Sequence, residues 1–392
     1  MWITRKHEET LKTLFAQFPA VAIGGARQVG KTALVRHVFP DINYVSLDFP
    51  ALAAQAEHNP EGFFRERGFP LIIDEVQYAP SLFSYLKALI DADRRPGRLI
   101  LTGSQIFPLM QGVSESLAGR CGVLTVMNLA ASELHAFQDG GMFIESDFLF
   151  KGGFPELHAR QELSPHFWYG AYLATYLERD VRNILNVGSI RDFDRFLRAV
   201  AARTGQILSY SDLARDVGIA PNTAKKWISV LQTSGQVFLL EPYFRNVGKR
   251  LVKSPKLYLC DTGLAAFLMG FESWQAVERH PAVGALWETH VVMEVVKAYA
   301  ARGKGIPLWF WRTAWGAEVD LLIERNGKFT AVECKYAEVV SEQGLKGLKA
   351  FADAYGRDSM QALYVASRTT HAYPASGEIT VIPGSRIADY LE

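Results

Sequence analysis

Apolar positions follow two rhythms along this chain. The runs Val21-Ala22-Ile23, Leu71-Ile72-Ile73 and Leu99-Ile100-Leu101 are unbroken and short. Such runs predict strands buried on both faces, as in a parallel sheet. Elsewhere the apolar residues recur every three or four positions. They do so over 33–38, over 172–180, and at Leu213, Ala214, Val217, Ala224, Trp227, Ile228 and Leu231. That spacing predicts amphipathic helices, with 172–180 as a connecting helix. Residues 237–240 and 257–259 read as two strands following the 211–231 helix pair. Further on, 287–296 predicts a helix, and 309–312, 317–323 and 329–335 predict three strands. Asn326-Gly327 supplies a tight turn between the last two. No apolar run is long enough to cross a bilayer, and the charged, helix-patterned start lacks a secretory core.

Length and composition narrow this picture. At 392 residues, two or three domains are expected, divided as 1–147, 148–275 and 276–392. Apolar residues make up 49% and charged residues 21%, as in an ordinary folded protein. A net charge of +1 gives no overall pull on a polyanion, so any nucleic-acid surface must be local. Cys121, Cys260 and Cys334 are too scattered for a disulfide framework or a zinc site, which fits a reducing cytoplasm.

The first chemistry lies between the first strand and helix. Gly25-Ala26-Arg27-Gln28-Val29-Gly30-Lys31-Thr32, followed by Ala33, has the form G-x-x-x-x-G-K-T. Strand, glycine loop and helix start together make an anion site, because free backbone N–H groups face the phosphates. Lys31 would neutralise the outer phosphates of ATP and Thr32 would hold Mg2+. The second strand ends in Asp74-Glu75. Asp74 would orient the magnesium shell, and Glu75 would polarise the attacking water. The third strand ends in Thr102-Gly103-Ser104-Gln105, where Ser104 or Gln105 could sense the terminal phosphate or merely form a turn. Arg120, after Ser116-Leu117-Ala118-Gly119, could reach a phosphate in its own or a neighbouring subunit, or serve as a helix-terminal cation.

The 211–231 stretch reads as helix, turn, helix. Ser211 is the expected cap, Gly218 the stop and Pro221 the new start. With the strands at 237–240 and 257–259 it has the outline of a winged helix. Asn222, Lys225 and Lys226 point outward, and Arg245, Lys249, Arg250, Lys253 and Lys256 join them as a local basic cluster. DNA or RNA backbone binding without strong sequence preference is the expectation; a packing or protein-interaction role is the alternative.

In the tail, period-two alternation puts Glu333 and Lys335 on one face, and the hairpin brings Asp320 toward them. Glu288 can join from the helix. The arrangement resembles the PD-(D/E)xK nuclease fold. That resemblance implies metal binding by Glu288, Asp320 and Glu333, with Lys335 as the accompanying lysine. The alternative is a buried polar network inherited from a nuclease and no longer cutting.

Taken together, residues 25–32, 71–80, 101–105, 116–120, 152–156 (GGFPE), 176–180 (YLERD) and 253–261 (KSPKLYLCD) resemble the AAA-type ATPases of bacteria and archaea whose C-terminal half is of unknown function. The resemblance implies an α/β chain: a P-loop AAA-type parallel-sheet domain, then a winged-helix domain, then an α/β nuclease-like domain. It implies ATP binding and hydrolysis with Mg2+, no membrane, and a homo-oligomer in which a ring is possible. The function expected is an ATPase acting on, or regulated by, nucleic acid. An ATP-gated nuclease and a nucleotide-controlled assembly switch are the alternatives.

Overall fold

The computed structural model describes residues 2–104, 106–137, 145–177, 190–244, 254–305, 307–313 and 315–391. The first half is built on strands β1 (Ala20–Gly24), β2 (Asn43–Ser46), β3 (Leu71–Asp74), β4 (Leu99–Thr102) and β5 (Cys121–Thr125). They form one sheet in the order β2-β3-β4-β1-β5, with every pairing parallel. β1, β3 and β4 are buried along their whole length, which is why they carry unbroken apolar runs. Parallel order carries the C-terminal ends of β1 and β3 to the same edge, so the glycine loop and Asp74-Glu75 meet there.

The second half begins with helices and then forms a larger sheet. Its strands are β6 (Gln206–Ile207), β7 (Val237–Pro242), β8 (Lys256–Leu259), β9 (Leu308–Arg312), β10 (Glu318–Arg325), β11 (Lys328–Cys334), β12 (Met360–Ser367), β13 (Tyr373–Pro374) and β14 (Ile379–Pro383). Their order is β13-β14-β12-β11-β10-β9-β7-β8-β6. The β10–β11 turn places Asn326 (φ 53°) and Gly327 (φ 76°) in the left-handed region, between the paired Arg325 and Lys328.

The helix pair is Tyr210–Val217 and Pro221–Thr233. All seven residues at core spacing are buried, Ala224, Leu213 and Leu231 completely. Gly218 closes the first helix at φ 83°, and Pro221 opens the second. The cap differs from expectation. Ser209, held in extended backbone, accepts the Asp212 N–H; Ser211 lies inside the first turn.

One pairing joins what the sequence reads as separate units. β7 runs parallel to β9, with Glu241 opposite Trp309 and the Tyr243 N–H donating to Phe310 O at 2.6 Å. Strands from both sides of position 275 thus share one sheet. The helix Val283–Ala301 lies against this sheet and is buried on nearly all sides, with Trp287 at 0% exposure. No helix among the described residues is long and apolar enough to cross a membrane.

Candidate nucleotide site and tail carboxylate cluster

Gly25 must be glycine, because a Cβ there would sit 2.1 Å from the Val126 carbonyl oxygen. Gln28 (φ 63°) and Gly30 (φ 89°) reverse the chain into the helix Lys31–Val38, whose first N–H groups face the loop. Ala26 and Val29 are buried beneath the loop, while Gln28 and Ala33 are exposed and Arg27 is half-buried. Lys31 is buried and donates to Gly25 O at 3.0 Å and Ala26 O at 2.9 Å. Burial lowers its pKa to about 8, against the opposing pull of Glu75 and Asp74. The ammonium thus closes on the loop's own carbonyls.

Asp74 is the centre of the opposite wall. Thr32 donates to it at 2.9 Å, Tyr44 donates at 2.7 Å, and the Thr102 hydroxyl also bonds it. Glu75 stands at φ 56°. Its Oε2 accepts from Ser104 Oγ at 2.7 Å, from Ser104 N at 3.1 Å, and from Gln77. Ser104 therefore does lie at this site; Gln105 falls outside the described residues. Residues 25–33 and 74–75 with Ser104 thus come together at one edge of the sheet. The oxygen donors of Thr32 and Asp74, side by side, suit a hard cation such as Mg2+.

Arg120 is elsewhere. It precedes Cys121, which pairs with Ala20 at the start of β1, so it lies at the opposite edge of the sheet from the loop. Its guanidinium forms a two-pronged pair with Asp91 at 2.8 Å. The structure thus places Arg120 beside Asp91, at the far end of β1 from the glycine loop.

The loop is tied to the rest of the chain by buried charges. Arg5 donates to Val29 O at 2.9 Å and Met127 O at 2.7 Å, and pairs with Glu133 at 3.3 Å. Glu133 also accepts from the Lys6 and Ala130 N–H groups. Next to it, Ala131 N–H donates to Glu294, and Lys297 donates to Leu129 O at 2.9 Å. The helix carrying Glu294 also carries Glu288. A second tie is Asp261, which accepts from Asn128 Nδ2 (2.5 Å), Gly153 N (2.8 Å), Tyr169 OH (2.7 Å) and Leu264 N (2.8 Å). Cβ atoms at Gly152 or Gly263 would collide with Asp261 or Tyr169, which accounts for two glycines of the 152–156 and 261–263 stretches.

In the tail, Glu288 and Asp320 close on a group the sequence reading places elsewhere, while Glu333 is held by Lys335. Lys256 Nζ is 2.8 Å from Glu288 Oε1 and 3.0 Å from Asp320 Oδ1, and it pairs with Glu318 as well. Burial alone would lower the Lys256 pKa; Asp320, Glu288 and Glu318 outweigh it and raise the value. Tyr258 OH donates to Glu288 at 2.6 Å, and Cys334 N–H donates to Asp320 at 2.9 Å. Lys335 pairs with Glu333 at 2.7 Å. Burial, then Asp320, pushes Glu288 up to about 7 and Glu333 up to about 8. Lys256 is thus withdrawn from the expected basic cluster. The metal expected at Glu288, Asp320 and Glu333 does not fit, because an ammonium stands among the oxygens. Among the described residues no group of three acids, histidines or cysteines is arranged to hold a metal ion.

Residues 17–135 match an AAA domain, and 145–275 and 283–387 match two domains of unknown function, DUF8612 and DUF4143. The protein Rv2008c of Mycobacterium tuberculosis is 30% identical over 380 residues, covering 96% of this chain and 82% of its own length; Mb2031c of Mycobacterium bovis gives the same figures. The chain belongs to the family of these two proteins. Among solved structures, it is similar to a Walker-type ATPase of Pyrococcus abyssi at 16% identity and a TM-score of 0.45, covering 68% of this chain and 96% of that one. It is also similar to AMPPCP-bound DnaA of Aquifex aeolicus, at 15% identity, a TM-score of 0.27, and 58% and 85% coverage.

For this family member the N-terminal part is an AAA-type P-loop domain. Sequence reasoning misses four of the side chains that shape its sites. Tyr44 lies on an edge strand with little apolar pattern. Arg5 acts from the charged N-terminal stretch. Glu318 shares a strand face with Asp320 at period two, a signal that was available. Lys256 shares its face with the buried Tyr258, and its enclosure in the apolar run KLYL was the sign of burial. Lys225 and Lys226 are exposed on the second helix of the pair, as expected. Lys249, Arg250 and Lys253, like Arg245 and 178–180, lie outside the described residues.

Proposed function

We propose that this chain hydrolyses ATP and couples the cycle to nucleic acid. One observation carries the reading: Thr32, at the start of the P-loop helix, touches Asp74, with Glu75 next in sequence and Lys31 at the loop. Lys31 would exchange its two carbonyl partners for phosphate oxygens. Thr32 and Asp74 would hold Mg2+, which supplies charge neutralisation at the phosphates when bound. Glu75 would orient water and accept its proton once Ser104 and Gln77 release it. The Arg5–Glu133 and Glu294–Lys297 ties offer a route by which loop movement reaches the long tail helix.

Support for nucleic acid rests on Lys225, Lys226 and the neighbouring Asn222, all exposed on one helix. So few cations neutralise only a few phosphates, so binding should be weak, salt-sensitive and indifferent to sequence. Homo-oligomerisation is part of this reading: Arg120, held by Asp91 at the far end of β1 from its own loop, would act on phosphates in a neighbouring copy. The test is ATP turnover with and without single-stranded, duplex and branched DNA and RNA. Stimulation that weakens with Lys225→Ala and Lys226→Ala supports the reading. No stimulation and no complex at low salt refutes the nucleic-acid part. The threefold grip on Glu75 favours a second reading, a slow nucleotide-controlled assembly switch. ATP-dependent assembly with negligible turnover would select it.

A further inference from the structure

The tail cluster has the acids of a metal centre and a cation already among them. Lys256 opens β8, paired with Leu240 on one side and Ile207 on the other, so its backbone is held on both flanks. Its side chain is 3% exposed, and three carboxylates take up its three N–H donors. A divalent ion held by Glu288 and Asp320 would need two of those carboxylates at about 2.0–2.6 Å. The two cations cannot share the space.

We propose that Lys256 is the resident cation of the tail. Its ammonium takes the place a nuclease gives to a metal, and turns the carboxylate cluster into a rivet between β8 and the β10 strand. Geometry supports this. Glu288, Glu318 and Asp320 all close on the one ammonium, and Arg312 reaches only Glu318, at 3.3 Å. Loss of Lys256 would leave Glu288 and Asp320 without the cation they share. A separate observation shows unfilled coordinating capacity. Glu333 is 9% exposed, and its Oε2 is buried without a hydrogen-bond partner, while Oε1 is held by Lys335. Removing the ammonium should therefore create a divalent-cation site from Glu288, Asp320 and Glu333.

The experiment is a Mn2+ titration of the nucleotide-free full chain, by calorimetry and by thermal denaturation. Wild-type protein should show no Mn2+ binding that Asp320→Asn removes. Lys256→Ala should melt lower in chelator, regain melting temperature in Mn2+, and bind Mn2+ about tenfold or more tightly than wild type, a gain that Asp320→Asn abolishes. Lys256→Met, which keeps the side-chain length, serves if the alanine variant does not fold. The proposal is overturned if wild type binds Mn2+ through Asp320, or cuts DNA in Mn2+ in an Asp320-dependent way. It is equally overturned if a folded Lys256 variant gains no site. The wild-type arms decide the matter even if neither variant folds.

Discussion

Asp261 is the most exposed to a simple test, because its four donors are unequal. In Asp261→Ala every acceptor vanishes. Tyr169 keeps its bond to Lys151 O at 2.8 Å, but Asn128 Nδ2, Gly153 N and Leu264 N are left buried without a good acceptor. At roughly 1–3 kcal/mol for each stranded donor, the loss is about 4 kcal/mol. Asp261→Asn behaves differently. Its amide can turn the NH2 toward Tyr169, whose oxygen then accepts while its proton goes to Lys151 O. The other side still accepts from Asn128 and Gly153. Only the Leu264 capping bond fails, and the cost should be about 2 kcal/mol including the lost charge. Hydrogen exchange over 152–154 and 262–268 reads this directly, since opening should quicken by about a thousandfold for alanine and about thirtyfold for asparagine. Amides of β3 serve as the internal control. The account fails if the two variants exchange alike, or if alanine stays within about tenfold of wild type.

The remaining predictions concern the P-loop and pH. Lys31→Ala should abolish tight ATP binding in calorimetry, while Glu75→Gln should retain binding and slow single-turnover hydrolysis by roughly 10²–10⁴-fold; unchanged rates would move the base elsewhere. Arg120→Ala should lower turnover with little change in nucleotide affinity, and full activity from a monomer in ultracentrifugation with ATP would refute a role toward a neighbour. Burial, then Arg5, lowers His7 to about 4, and burial, then Lys297, lowers His290 to about 3. Both fold as neutral bases, so their contribution is whole above about pH 6.5 and is lost as pH falls toward their folded values. Glu288 and Glu333 act oppositely, penalising the fold as pH rises from about 4.5 through 7 and 8. The useful reading is therefore a difference. His290→Phe should gain about 2 kcal/mol on wild type between pH 7 and pH 5 in urea denaturation, and a constant difference would refute it.

Much of the fold is legible because burial writes itself plainly into some segments. β1, β3 and β4 are covered on both faces, and their runs could be little else. Gly218 and Pro221 mark the helix pair because each backbone position demands its residue. Cap placement is less legible: Ser211 is the cap expected from sequence, and only the extended backbone at Ser209 shows that the cap lies two residues earlier. Long-range pairing is the real barrier. Lys256 reads as one more cation in a basic stretch until Glu288 and Asp320 are known to close on it. Arg120 reads equally as a phosphate contact or a helix-terminal cation, and only the fold shows Asp91 as its partner. The P-loop escapes this difficulty because its chemistry is carried by adjacent residues.

The β7–β9 pairing has a consequence for how the chain is made. During synthesis the P-loop sheet can close once β5 has left the ribosome, since its other four strands precede β5. The second sheet cannot. β7 emerges with one edge bare and must wait for the long helix and β9 to follow before that edge is covered. Lys256 waits as well, a buried-to-be cation whose acids are not yet translated. A chain stopped near 275/276 would be caught at this stage, with an open strand edge and an unmatched ammonium, and should recruit other nascent chains or a chaperone instead of folding as a shorter domain.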